Sequence, residues 1–345
     1  MPIYVKIGVA VAVALAVSLA STPAVKRLAN RIGAIDVPKD SRRVHKSPIP
    51  RLGGLAIFLG FVLSVVIFAD ITRQILGILI GAVIIVIVGV VDDIRPLRAL
   101  IKLIIQIIAA LVAVYFGVII DIFSNPIFFS ANQFVFLGYF SIPITVLWIV
   151  AITNSVNLID GLDGLAVGVS AISSIAMLII ALMVSDDLNV AVILAALTGA
   201  CLGFMPYNFN PAKIFMGDTG ALLLGYVLST VSIIGLFKFY AVVSFAAPFL
   251  VLALPLFDTS FAFIRRILKG QSPMSPDRGH FHHRLLDIGL SQKQAVAILY
   301  TISGLLGLVA VVITTRDEIR ALILIIAVIV AVAIVFFAFK GKMKK

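Results

Sequence analysis

Residues 75–93 read ILGILIGAVIIVIVGVVDD. The run Ile75 to Val91 holds nothing but apolar residues and glycine, and the adjacent carboxylates Asp92 and Asp93 close it. A helix of about 17 residues rises roughly 25 Å at ~1.5 Å per residue, close to the thickness of a bilayer's hydrocarbon layer. No polar face breaks the run, so it is not the amphipathic surface helix of a soluble domain. It reads as a membrane span that carries charge at one end.

The same pattern recurs along the 345 residues, of which 62% are hydrophobic and 12% charged. Soluble domains carry roughly 45–50% apolar and about 25% charged residues. A soluble globule is excluded, and so is a disordered chain, which is poor in apolar residues. The apolar runs divide into about eleven spans: 3–22, 52–71, 75–91, 98–120, 140–156, 164–185, 189–206, 219–236, 240–263, 293–313 and 319–339. The expected fold is therefore an all-α polytopic membrane protein, a single integral domain over 1–345 with no internal repeat. In the first span Lys6 precedes an apolar stretch, and small residues sit near Ala20 and Ala24, as in a signal peptide. Many spans follow and its basic start is weak, so it reads as an uncleaved anchor. The single Cys201 lies inside an apolar run, which leaves no disulfide framework or cysteine metal site.

Charge orients the spans. Lys and Arg number 27 and Asp and Glu 16, a net +11. The loop 23–51 carries Lys26, Arg27, Arg31, Lys39, Arg42, Arg43, Lys46 and Arg51. Cytoplasmic loops are enriched in Lys and Arg, so this loop is taken as cytoplasmic. The N-terminus is then outside and, after eleven spans, the C-terminus inside. In that arrangement 22 of the 27 basic residues are cytoplasmic, and Lys6, Arg73, Lys238, Arg316 and Arg320 are not. Segment 264–292 becomes a cytoplasmic loop rich in His and Arg. The basic excess points to an anionic membrane surface or anionic substrates rather than to nucleic acid.

Of the 16 acids only Glu318 is Glu. Four polar clusters fall on the cytoplasmic side: Asp92-Asp93; Asn157, Asp160 and Asp163; Asn208, Asn210 and Asp218; and His280, His282 and His283. Polar groups near membrane depth are costly and face a cavity or a partner, so four clusters on one face suggest one site. Each has a plainer alternative. Asp92 and Asp93 can pair with Arg95 and Arg98; as neighbours they repel, which suits a metal or a proton-transfer role. Asn157, Asp160 and Asp163, if helical, share one face over about 120°; the alternative is helix capping by Asp. Asp218, in Met216-Gly217-Asp218-Thr219-Gly220, is either an N-cap or a Mg2+ ligand at a helix start. The His residues lack the spacing and cysteines of a zinc site, and with Arg278 and Arg284 they suit phosphate oxygens. Asp258 lies within the ninth span with its role open.

Together Asp92-Asp93, the run Asn157-Leu158-Ile159-Asp160-Gly161-Leu162-Asp163-Gly164, the run Phe215-Met216-Gly217-Asp218-Thr219-Gly220 and His280-Phe281-His282-His283 resemble the polyprenyl-phosphate N-acetylhexosamine-1-phosphate transferases. The resemblance runs from about Arg43 to Arg284 in the family's order. It implies a multi-span, Mg2+-dependent enzyme, with Mn2+ as a substitute, that moves a sugar 1-phosphate from a UDP-sugar to a lipid phosphate. By motif, Asp92 and Asp93 would be the catalytic pair and Asp218 the principal metal ligand. Lys46 would approach the nucleotide. Asn157, Asp160 and Asp163 would line the uridine pocket, with Phe215 stacking on the uracil. Asn208 would sit near metal and diphosphate, and His280, His282 and His283 would serve the diphosphate or the sugar. The resemblance also implies a bacterial plasma-membrane location with the site at the cytoplasmic face, and it allows a homodimer.

Within the family, Arg51-Leu52-Gly53-Gly54 and the His-x-His-His loop resemble the branch that uses UDP-N-acetylglucosamine (UDP-GlcNAc) and undecaprenyl phosphate. The UDP-MurNAc-pentapeptide branch typically reads Pro-Thr-Met-Gly-Gly and has three consecutive His. The expected reaction is attack of the lipid phosphate on the β-phosphorus with release of UMP. Double displacement through an Asp is the alternative. Outside the family, an ion-coupled transporter would place its acids nearer mid-membrane and show repeats. An intramembrane aspartyl protease would need a second matching Asp context. A CDP-alcohol phosphotransferase would need an Asp-Gly-x-x-Ala-Arg pattern, whereas Asp163-Gly164 continues as Leu165-Ala166-Val167.

Overall fold

The computed structural model describes residues 2–38, 47–124, 134–184, 188–235, 242–268, 270 and 280–315. Twelve helices are described: α1 Ile3–Ile32, α2 Gly54–Phe68, α3 Arg73–Ile94, α4 Ala99–Tyr115, α5 Ser141–Leu158, α6 Leu165–Val184, α7 Leu188–Asn208, α8 Gly217–Gly235, α9 Val242–Val251, α10 Ala253–Leu268, α11 Phe281–Asp287 and α12 Gln292–Thr315. Seven of the described helices are long and apolar enough to cross a membrane, and α2 and α4 are shorter apolar helices. The molecule is a helical membrane protein. The span expected at 319–339 lies outside the described residues.

Three of the ten described spans depart from the boundaries expected. The first helix runs through Pro23 to Ile32, ten residues past the apolar run. The fourth stops at Tyr115 rather than near 120; Arg73 and Gln74 of α3 donate to the carbonyls of Tyr115 (2.9 Å) and Gly117 (2.6 Å) and tie off its end. The ninth is two helices, α9 and α10, broken at Leu252. Pro255 has no N–H to offer the carbonyl of Val251, and the Ser173 hydroxyl takes that carbonyl instead at 3.0 Å. The fold is also not purely helical. Two short antiparallel ribbons are present, β1 (Ile35–Asp36) with β2 (Ile49–Pro50), and β3 (Ile122–Ser124) with β4 (Phe134–Phe136).

The core is α8, every residue of which from Thr219 to Gly235 is buried. It packs against α3, α5, α2 and α6. A second group joins α1, α2 and α7. There Gly199 and Gly203 of α7 leave room for the backbone of α1 at Val11 and Leu15, the small-residue contact by which membrane helices approach closely. Apolar side chains such as Ile87, Ile108 and Leu147 face outward, as lipid-facing surface requires. Cys201 is buried in α7.

Candidate active site

The site begins with two backbone segments laid side by side. Phe215 N–H donates to the Pro50 carbonyl (2.8 Å), and Gly53 and Gly54 N–H donate to the carbonyls of Phe215 and Met216 (2.9 Å each). This zipper carries Arg51 to the end of α3. Its guanidinium donates to the carbonyls of Asp92 and Asp93, both at 3.2 Å, and approaches the Asp93 carboxylate at 3.7 Å. The last carbonyls of a helix have no partner within it, and a cation there is favoured by the helix dipole. Arg51 supplies both needs.

Asp93 points across to α8. One carboxylate oxygen accepts from the Asp218 N–H at 3.0 Å, and the other from the Thr219 N–H at 3.1 Å and the Thr219 hydroxyl at 2.6 Å. A carboxylate from one helix thus caps the positive end of another. Gly217 permits this approach: its φ is +68°, and a Cβ there would run into the Asp93 carboxylate. Asp92 points the other way. It accepts from the Leu97 N–H at 2.7 Å and from the Lys102 ammonium at 3.3 Å. The same ammonium sits 2.8 Å from Asp218. The bonds of the pair therefore go to Lys102, Arg51 and α8, where the sequence had suggested Arg95 and Arg98.

Asn157, Asp160 and Asp163 do not share a helical face. Helix α5 ends at Leu158, and residues 159–164 form a turn. Asp163 spans from that turn to the 209–212 loop, accepting from the Asn210 amide at 2.9 Å and the Ala212 N–H at 3.0 Å. Asn208 fastens the same two segments: its oxygen accepts from the Gly164 N–H and its amide donates to the Ile214 carbonyl, both at 3.1 Å. Asp160 is left among carboxylates. Burial, then the charges of Asp218, Asp93 and Asp163, push its pKa up from 3.8 to about 8.

These segments enclose a cavity of about 290 Å3. Asp93, Asn157, Asp160, Asp163, Asn208, Phe215, Asp218 and His283 all line it, so each of the four polar clusters reaches one space. Asp92 stands behind the wall with Lys102. His280 is buried against Asp258, and His282 lies against Gly161. Lys46 lies outside the described residues. Two wall residues, Asp36 and Arg51, were not anticipated. Arg51 had been noted only as a charge of the loop 23–51 and within the Arg51-Leu52-Gly53-Gly54 motif. Lys102 counted only among the cytoplasmic basic residues, and its partners Asp92 and Asp218 lie 10 and 116 residues away along the chain.

The donor set suits a hard divalent cation. Asp93, Asp160, Asp163 and Asp218 face one space, and Asn157 lines it with them. Among the described residues no three of His, Cys, Asp or Glu form a ready metal cage. Mg2+ commonly takes one or two carboxylates and completes its shell with water and phosphate oxygens, so Asp218 with one neighbour is a sufficient protein contribution.

Residues 75–236 match the model of glycosyl transferase family 4. The chain is 43% identical over 332 residues to a "probable undecaprenyl-phosphate N-acetylglucosaminyl 1-phosphate transferase" of Bacillus subtilis, covering 96% of this chain and 91% of that one. It is 36% identical over 314 residues to a "decaprenyl-phosphate N-acetylglucosaminephosphotransferase" of Mycobacterium tuberculosis, covering 83% and 77%. A "phospho-N-acetylmuramoyl-pentapeptide-transferase" of Wolbachia pipientis is 35% identical over 208 residues, 56% of this chain and 63% of that one. With this cavity at one end of its spans and relatives of this kind over nearly its whole length, the chain belongs to glycosyl transferase family 4, the polyprenyl-phosphate N-acetylhexosamine-1-phosphate transferases.

Proposed function

We propose that this phosphosugar transferase moves N-acetylglucosamine 1-phosphate from UDP-GlcNAc to undecaprenyl phosphate and releases UMP. The observation that carries the reading is one cavity, where five carboxylates, the amides of Asn157 and Asn208 and the ring of Phe215 meet. The names of the relatives above favour GlcNAc as the sugar.

Both substrates are polyanions, and their approach needs positive charge. Mg2+, held by Asp218 beside Asn157, would supply charge neutralisation on the diphosphate. Arg51 and His283 are basic donors of the chain itself at the cavity wall. Asn157, Asp160 and Asp163 would hold the uridine against Phe215. A lipid phosphate oxygen attacks the β-phosphorus, the bond from that phosphorus to the bridging oxygen breaks, and UMP leaves. Both Asp93 oxygens already accept hydrogen bonds. That leaves Asp93 poorly placed as a nucleophile and favours direct attack over a phospho-enzyme.

An apolar groove of about 470 Å3 runs between α4 and α5, lined by Leu103, Ile107, Leu111, Val146 and Val150 among others. It starts one residue from Lys102. A polyprenyl tail lying there would bring its phosphate to the Lys102 ammonium. The one-sided Lys and Arg distribution supports a cytoplasmic site with the N-terminus outside.

A panel of UDP-sugars assayed with polyprenyl phosphate tests the reading. UMP release is expected from UDP-GlcNAc, only with lipid and divalent cation present. Preference for UDP-MurNAc-pentapeptide or another UDP-N-acetylhexosamine would reassign the sugar. No turnover with any of them would overturn the proposed substrates. Covalent label on the enzyme with UMP release in the absence of lipid would sink direct attack.

A further inference from the structure

Asp258 of α10 is 5% exposed and does not line the cavity. Both of its oxygens are taken by the start of α11. One pairs with His280 Nδ1 at 2.9 Å, and the other accepts from the Phe281 N–H at 2.7 Å. Helix α11 has seven residues, too few to hold a helix or its direction without neighbours. A carboxylate at its first turn also meets the positive end of the helix dipole.

From this anchor a row of imidazoles leads to the cavity. The rings of His280 and His282 are nearly parallel, 9° apart with centroids at 5.7 Å. The ring of His282 lies 4.3 Å from that of His283, and His283 lines the cavity. His282 packs against Gly161, where a Cβ would collide with its ring, so the row also touches the turn that carries Asp160 and Asp163. Burial, then the neighbouring His283, push the pKa of His282 down to about 3, so it sits there neutral.

We propose that Asp258 is a positioning residue for the transfer reaction: through His280 and the first turn of α11 it fixes the direction from which His283 meets the diphosphate. The role rests on the transferase reading above. It has a chemical corollary that does not. A carboxylate only accepts, so His280 must carry a hydrogen on Nδ1. Asp258→Asn keeps the shape but turns one acceptor into a donor, which opposes either His280 or the Phe281 N–H.

Two measurements decide it. Nitrogen-15 NMR of histidine-labelled protein, without substrate, should show His280 protonated on Nδ1, with its signal assigned by its loss in His280→Gln. A His280 protonated on Nε2 alone would overturn the proposal. In the transfer assay, Asp258→Asn and His280→Gln should each lower kcat by about tenfold or more, with the KM for polyprenyl phosphate within about twofold of wild type. The double variant should be no worse than the weaker single variant, because the two act as one unit. Wild-type kcat in Asp258→Asn, or losses that multiply, would overturn it. If Asp258→Asn does not fold, His280→Gln carries the kinetic arm under the same criterion. An enzyme silent toward every UDP-sugar would defeat the transferase reading and the positioning role together, while the NMR result still stands as a statement about the Asp258–His280 pair.

Discussion

At the scale of single residues, Asp93 does most to join the site to the fold. It accepts three hydrogen bonds from the start of α8 and faces the cavity. Asp93→Asn should lower turnover by about 10²–10⁴-fold and reduce stability by roughly 1.5–3 kcal/mol, the range for hydrogen bonds to a charged group; steady-state rates and denaturation curves check the two parts. Asp160 behaves differently. Its folded pKa, about 8, lies above its ordinary 3.8, so the folded state holds the proton more tightly than the unfolded chain. Its contribution to stability is full below about pH 4 and is lost as pH rises through 8. In metal-free protein, the fall in melting temperature from pH 5 to pH 9 should be shallower in Asp160→Asn than in wild type. Equal slopes would refute the assigned cause. The candidates themselves were legible in the sequence because short polar side chains stood out against apolar spans. Their partners were not. Nothing near Asp258 announces His280, which lies 22 residues further along the chain.

At the scale of elements, apolar length located ten described spans but could not mark where a helix yields to backbone chemistry. The break between α9 and α10 was signalled by Pro248 and Pro255, inside a run still apolar enough to count as one span. The end of α5 was signalled by Gly161 and Gly164, whose presence argued against the helical face suggested for Asn157, Asp160 and Asp163. The junction of α3 with α8 hangs on a similar detail. Gly217→Ala combines a positive φ with a clash at Asp93 and should cost about 1–3 kcal/mol. Activity should fall with it, since any relief moves Asp93 or Asp218. A fully active, equally stable Gly217→Ala protein would show that this junction tolerates slack.

At the scale of the whole molecule, orientation is the property to test. Ile71 and Arg98 are exposed beyond opposite ends of α3, and the native Cys201 is buried. In spheroplasts, a membrane-impermeant maleimide should label Ile71→Cys directly and Arg98→Cys only after permeabilisation. The reverse pattern would invert the molecule and move the site to the other face.

The enclosure of α8 bears on how the protein is made. It is the least hydropathic of the seven long candidate spans and the most deeply buried, with Ser229, Thr230 and Ser232 along its length. A nascent segment of that kind gains little from lipid when it leaves the insertion machinery alone. It would depend on α3, α5 and α7, all made earlier, to receive it. Placed by itself in an insertion reporter, α8 should enter the bilayer less efficiently than α3, and restoring the preceding helices should recover it. The helix that carries the catalytic end of the protein would then be a late guest among neighbours already in place.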